Sequence, residues 1–187
     1  MNLAQGTPQV DIFLDNYRVL KALSFAQATP YQQTMQKEYG LAVRETCVPS
    51  TPHALADVPT RFLSQYYYTV ALMGSAKNLH VVQLNDDPAL PGRGKARIRL
   101  LNAVPDAPPL SLGVGGMTLF SCIPYGVGSD YCTITQCPGP ISIYTSNGAA
   151  VTTIEPPAPN VRVYTVVLYG SYCDAGRLYY MIMGERD

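Results

Sequence analysis

The chain has no tryptophan, only two histidines and few charged residues, and each scarcity narrows what it can be. Thirteen basic residues balance thirteen acidic ones, and charged residues make up 14% of the 187 positions. A general nucleic-acid binder needs a basic surface to displace counterions from phosphate. The densest basic group here is the scattered Arg93, Lys95, Arg97 and Arg99, so nucleic acid is not an expected partner. No apolar stretch reaches the roughly 18 residues that a helix needs to cross a bilayer, so no membrane-spanning helix is expected. The opening Met1-Asn2-Leu3-Ala4-Gln5-Gly6 has neither a charged n-region nor an apolar h-region, so no signal peptide is read in it.

The motifs that announce catalysis are missing as well. There is no Gly-x-Ser-x-Gly, no phosphate-binding glycine loop and no His-Glu-x-x-His. Cys47 and His53 lie six residues apart and have the chemistry of a nucleophile and its base. No third orienting group or oxyanion motif accompanies them. The sequence therefore predicts no enzyme, no catalytic residue, no cofactor and no metal.

Five cysteines are present, four of them, Cys122, Cys132, Cys137 and Cys173, in the second half. A structural zinc site usually shows two close pairs, and only Cys132 and Cys137 form one. Four cysteines allow three disulfide pairings, and pairing needs an oxidising compartment. Free thiols, behaving as small hydrophobes, are the leading reading, ahead of a disulfide and well ahead of metal. Asp106 and Asp130 suggest calcium only weakly. Asp beside Pro forms turns through its own hydrogen bonds, and the several closely spaced oxygens that calcium takes are not there.

What the chain does have is a repeat. Residues 2–44 align without a gap to residues 102–144, with Asn2 on Asn102, Pro8 on Pro108, Phe25 on Tyr125 and Tyr31 on Tyr131. The match resumes with four residues fewer, placing Tyr68-Thr69-Val70-Ala71-Leu72-Met73-Gly74 on Tyr164-Thr165-Val166-Val167-Leu168-Tyr169-Gly170. So long a period exceeds a solenoid unit and equals a small domain. The boundaries read as 1–86 for the first repeat, 87–94 for a linker stiffened by Pro88 and Pro91, and 95–187 for the second repeat.

The local pattern is that of strands. Val10–Leu14 and Leu110–Val114 alternate and end in the turn signals Asp15-Asn16 and Gly115-Gly116. Ile141–Thr145 and Val151–Ile154 read as a hairpin about an Asn147-Gly148 type I′ turn. The first repeat replaces that turn with a longer loop through Cys47, Pro49, Pro52 and His53, a place for copy-specific function. Arg162–Tyr169 and Gln65–Met73 are apolar on both faces, as central strands are. Only 27–39 leaves room for a helical turn. Short strands, sixteen prolines and fifteen glycines predict an all-β chain of two tandem immunoglobulin-like, Greek-key β-sandwich domains.

One strand is out of balance between the copies. Lys95–Leu101 alternates as a half-buried strand before Asn102, whereas only Met1 precedes Asn2. The first domain is therefore expected to lack its opening strand, through an N-terminus that lies further upstream or because another segment fills the place. An open strand edge invites pairing with another chain, including a second copy.

The fourteen tyrosines are the remaining signal. Tyr68 and Tyr164 coincide in the repeat and read as packing residues, whereas Tyr66, Tyr144, Tyr172 and Tyr179 are the candidates for an exposed binding patch, with His53 beside them. Protein or glycan are the partners such a patch would suit.

The run Arg97–Pro108, with Leu119-Phe120, Pro124-Tyr125-Gly126, Ser129-Asp130-Tyr131 and Tyr164–Val167, resembles the bacterial family catalogued as domain of unknown function 4397. The first copy is the divergent one, with Gln5-Gly6-Thr7-Pro8 for Pro-Asp-Ala-Pro and Ser24-Phe25-Ala26 for Pro-Tyr-Gly. The resemblance implies immunoglobulin-like sandwiches, often in tandem, in secreted or envelope-attached bacterial proteins, and carries no catalytic residues. The expected function is a non-catalytic binding or structural module of the cell envelope or exterior. The alternative is a regulatory module that sequesters a protein partner in the manner of an anti-sigma factor.

Overall fold

A computed structural model of the chain describes residues 1–46, 54–136 and 139–185. The chain divides into two compact units, Met1–Asp86 and Asp87–Asp187. Each is a β-sandwich.

Among the described residues the second unit has eight strands: β7 (Lys95–Ala103), β8 (Leu110–Val114), β9 (Met117–Ile123), β10 (Cys132–Thr135), β11 (Ile141–Thr145), β12 (Ala150–Ile154), β13 (Val163–Gly170) and β14 (Leu178–Glu185). One sheet has the order β10-β7-β13-β14 and the other β12-β11-β8-β9. All neighbours are antiparallel except β7 and β13, which run parallel. Alternate residues of both sheets meet in one core, among them Ile98, Leu100, Leu112, Ile143, Val166 and Leu168, all with no exposed surface. Each such side chain contributes about 1.5–3 kcal/mol by leaving water. β13 lies between β7 and β14 and every one of its residues is buried, which is why Val163–Gly170 reads as one apolar run.

Among the described residues the first unit has six strands: β1 (Val10–Leu14), β2 (Tyr17–Leu23), β3 (Lys37–Glu45), β4 (Ala56–Phe62), β5 (Tyr67–Ser75) and β6 (Asn78–Asp86). The sheet β2-β1-β3-β4 packs on the two-stranded β5-β6 around Val10, Ile12, Leu41, Val43 and Leu72. The pairing repeats that of the second unit. Val10 faces Leu23 and Ile12 faces Leu20 and Val43, as Leu110 faces Ile123 and Leu112 faces Phe120 and Ile143. Both first hairpins carry a bulge whose residue has positive φ, Ala22 at 55° and Cys122 at 55°. In each, the bulge N–H donates to the side chain of the same strand position, Asp11 in one unit and Ser111 in the other.

The hairpin tips follow turn chemistry. Asp15 (φ 49°) and Asn16 (φ 68°), and likewise Gly115 (58°) and Gly116 (83°), have the paired positive φ of a two-residue type I′ turn. The β11–β12 tip differs from the expected type I′ turn: only Gly148 has positive φ, and Thr145 pairs with Ala149 across a three-residue loop. Two further expectations are corrected. Residues 27–39 hold no helical turn; 28–35 have no regular structure, and β3 begins at Lys37. β5 is not flanked on both edges along its length, for a reason that defines the site below.

Candidate functional site

In the second unit, β7 covers one edge of β13 from Val163 to Tyr169. In the first unit, among the described residues, that position is taken by Met1–Gln5 alone. Asn2 and Gln5 bridge Leu72 and Ser75 in parallel, the Leu72 N–H donates to the Met1 carbonyl at 2.9 Å, and the Leu3 N–H donates to the Leu72 carbonyl at 2.7 Å. The Met1 ammonium ends the run, donating to the Val70 carbonyl at 2.7 Å. Its burial lowers its pKa to about 6. Beyond Val70, among the described residues, no strand stands against Tyr67–Thr69 on this side. Alternate residues of a parallel strand bond to the same neighbour. With Leu72 turned toward Met1–Leu3, the N–H and C=O of Tyr68 are turned to the same open edge.

The vacancy reaches into the core. Val166, on β13 beside β7, is fully buried in the second core, whereas Val70 in the corresponding place is only half-buried, as is Leu14. The strand that flanks β7 is affected too. Residues 132–135 form β10 by pairing with β7, whereas the aligned Gln32–Met35 has no strand to pair with and stays irregular and exposed.

Aromatic side chains gather at this edge. Tyr31 and Tyr67 meet edge to face with centroids 5.6 Å apart, and on the opposite face of β5 a second group places Tyr68 5.4 Å from Phe62 and 6.3 Å from Tyr66. Tyr31, Tyr66 and Tyr67 are each about half exposed, and Met35 and Leu63 are exposed as well. The hydroxyls of Tyr31 and Thr69 both donate to Oδ2 of the buried Asp86, at 2.6 Å each, which fixes Tyr31 against the start of β5. An apolar ring body with a polar tip is the amphipathic surface that protein interfaces favour.

The expected patch residues fare differently. Tyr66 belongs to this cluster. Tyr144, on β11, is half-buried with its ring against Gly113, where a Cβ would come within 3.1 Å of it. Tyr172 packs on the core of the second unit, and Tyr179 is exposed with its ring 5.6 Å from Tyr169. His53, Cys47 and Cys137 lie outside the described residues. Sequence reasoning misses Tyr31 and Tyr67; their only signal is the alignment of Tyr31 with Tyr131 and the Tyr66-Tyr67-Tyr68 run.

Cys122, Cys132 and Cys173 are free thiols, Cys122 exposed on its bulge and Cys132 half-buried against the core. The Cys173 thiol is pushed up by the adjacent Asp106 carboxylate, the opposite of what activates a nucleophile. Asp106 acts on backbone: it accepts from Ser171 Oγ at 2.6 Å and from the N–H groups of Tyr172 and Cys173 at 2.8 and 3.0 Å. These bonds outweigh its desolvation and hold its pKa at about 2.

No curated protein matches the chain. A family model does match residues 1–112, which span the whole first unit, β7 and the start of β8. The chain belongs to the family catalogued as domain of unknown function 4397.

Proposed function

We propose that the chain is a non-enzymatic binding module that takes up a protein partner through the exposed aromatic residues about the start of β5. The observation that carries this reading is the set of half-exposed rings of Tyr31, Tyr66 and Tyr67, with Met35 and Leu63 exposed as well. Rings with an apolar body and a polar tip are the anchors that protein interfaces favour. On this reading the two units are tandem immunoglobulin-like copies of one module. The location that suits such a module is the bacterial envelope or exterior, an expectation that rests on the family resemblance.

The test selects a displayed peptide library on the 187-residue chain and on its Y66S/Y67S variant. The reading expects peptides that bind the parent and lose about tenfold or more in affinity for the variant, while the melting temperatures of the two chains agree. Peptides that bind both chains equally, or none that bind the parent, overturn it.

A further inference from the structure

The tip of the β11–β12 hairpin in the second unit carries an asparagine followed by a glycine, Asn147-Gly148, the one such pair in the sequence. Every residue from Ser146 to Ala150 is exposed, and a Cβ built on Gly148 would meet nothing within 4 Å. The other exposed asparagines, Asn16, Asn78, Asn85 and Asn160, precede Tyr17, Leu79, Asp86 and Val161, whose side chains crowd the backbone nitrogen. Asn2 and Asn102 are fully buried. We propose that Asn147 is a self-modification site, at which the Gly148 backbone nitrogen displaces the side-chain amide and water then leaves a carboxylate. This chemistry does not depend on the aromatic face of the first unit.

The loop holds the reacting amide by its oxygen. The Thr145 hydroxyl donates to Asn147 Oδ1, and the Ala149 N–H, shared with Thr145 Oγ1 at 3.1 Å, reaches the same Oδ1 at 3.3 Å. A backbone N–H only donates, so this partner fixes which end of the amide is oxygen. Negative charge gathers on that atom when a nitrogen adds to Cγ. Two donors already aimed at it act as an oxyanion hole does, and Thr145 is only 2% exposed, which holds its hydroxyl in place. The Gly148 N–H donates to the Thr145 carbonyl at 2.9 Å, and this is the bond that must open first. At an exposed hairpin tip such local opening costs little free energy. The two bonds on Oδ1 need not open with it.

The atoms balance with water as the only co-reactant. Hydroxide takes the Gly148 amide proton, the nitrogen bonds to Cγ of Asn147, and an electron pair moves onto Oδ1. Its return breaks the Cγ–Nδ2 bond, and Nδ2 leaves as ammonia with a proton from water. Water then opens the resulting cyclic imide on one side or the other. Opening at the Cγ–N bond leaves aspartate in an unchanged main chain, its carboxylate inheriting the donors of Thr145 and Ala149. Opening at the main-chain carbonyl leaves isoaspartate, which puts one extra carbon into the loop and disturbs the pairing of Thr145 with Ala149. Either product adds one negative charge to a chain whose thirteen basic residues balance thirteen acidic ones.

The full 187-residue chain is held in native buffer and, in parallel, in urea. Peptide mapping by mass spectrometry follows the mass gained when water replaces ammonia, and electron-transfer fragmentation distinguishes isoaspartate from aspartate. The expected outcome is modification of the folded chain at Asn147 ahead of every other asparagine. The rate should rise about tenfold from pH 7 to pH 8, because the reactive amide anion scales with hydroxide. Thr145→Val should slow the folded chain about threefold or more, Thr145→Ser should restore the rate, and in urea all three should react alike. Gly148→Ala, which crowds the nitrogen itself, should slow the reaction both in buffer and in urea. An unmodified Asn147 in the folded chain, when the urea sample reacts, overturns the site, and so does modification spread evenly over the asparagines. Equal rates for the folded parent and Thr145→Val overturn the part assigned to the Thr145 hydroxyl.

Discussion

Asn2 and Asn102, one hundred residues apart, make the same pair of hydrogen bonds. In each, Oδ1 accepts from the N–H two residues on, Ala4 at 3.1 Å and Val104 at 3.0 Å. In each, Nδ2 donates to the carbonyl at the end of the first hairpin, Leu23 at 3.3 Å and Ile123 at 3.0 Å. Both side chains are fully buried. In the second unit the asparagine ties the end of β7 in one sheet to the end of β9 in the other.

Replacing Asn102 by alanine removes both bonds and orphans a buried N–H, so we expect a loss of about 2–4 kcal/mol. Asn2→Ala should act in the same direction on the first unit. Chemical denaturation of each variant beside the parent checks this, and a change under about 0.5 kcal/mol would count against the tie.

Gly74 and Gly170 occupy matching places at the ends of β5 and β13, with φ of 96° and 106°. A Cβ at Gly74 would lie 2.2 Å from the Asn78 carbonyl oxygen, and one at Gly170 would lie 1.9 Å from that of Arg177. Gly148 also has positive φ, 85°, but open space around it. Alanine at Gly74 or Gly170 should cost more than about 3 kcal/mol, whereas Gly148→Ala should cost only the left-handed backbone penalty of about 1–2 kcal/mol. Comparable losses at all three would refute the role of close approach.

Two groups give stability a pH dependence of predictable sign. Asp106 has its folded pKa lowered to about 2 from 3.8, so its contribution is present above pH 4 and disappears as pH falls through 2. Solvent screening at this exposed site limits the effect to about 1 kcal/mol, and Asp106→Asn should flatten that part of the curve. The Met1 ammonium has its folded pKa lowered from 8.0 to about 6, so the unfolded chain binds the proton more tightly and stability rises between pH 6 and 8. The full difference corresponds to about 2–3 kcal/mol. Acetylating the N-terminus removes the charge and should abolish the rise, as denaturation midpoints at pH 5.5 and 8.5 would show.

The first unit buries its flank less completely than the second, as Val70 and Val166 illustrate. Calorimetry should therefore show two transitions, the first unit melting before the second. Reporter dyes on Cys122 would follow the later one. A single transition with equal calorimetric and van't Hoff enthalpies would contradict this.

Where the chemistry is local, the sequence is legible. Asp15-Asn16 and Gly115-Gly116 form their turns because few other residue pairs tolerate two positive φ values in succession. The all-β class and the imbalance before Asn2 are equally open to inspection, the latter only because the chain carries its own reference copy. Partners far apart in sequence are not legible. Gln32–Met35 aligns with β10 yet is no strand, since a strand's bonds belong to its neighbour as much as to itself. Tyr31 meets Tyr67 where its hydroxyl donates to Asp86, the residue that faces Tyr67 across β5 and β6. Tyr144 and Tyr172 are equally eligible for a patch by sequence, and packing against Gly113 and the second core claims them.

On the binding reading proposed above, the half-buried Val70 makes heat a detector of any ligand that covers it. Whatever covers that side chain removes apolar surface from water in the same event that recognises it, so occupancy and melting temperature move together by mass action. A thermal-shift screen of extended peptides, followed at the earlier of the two transitions, would rank candidate partners without labels and without any of them being named beforehand, the second unit serving in every sample as the internal standard.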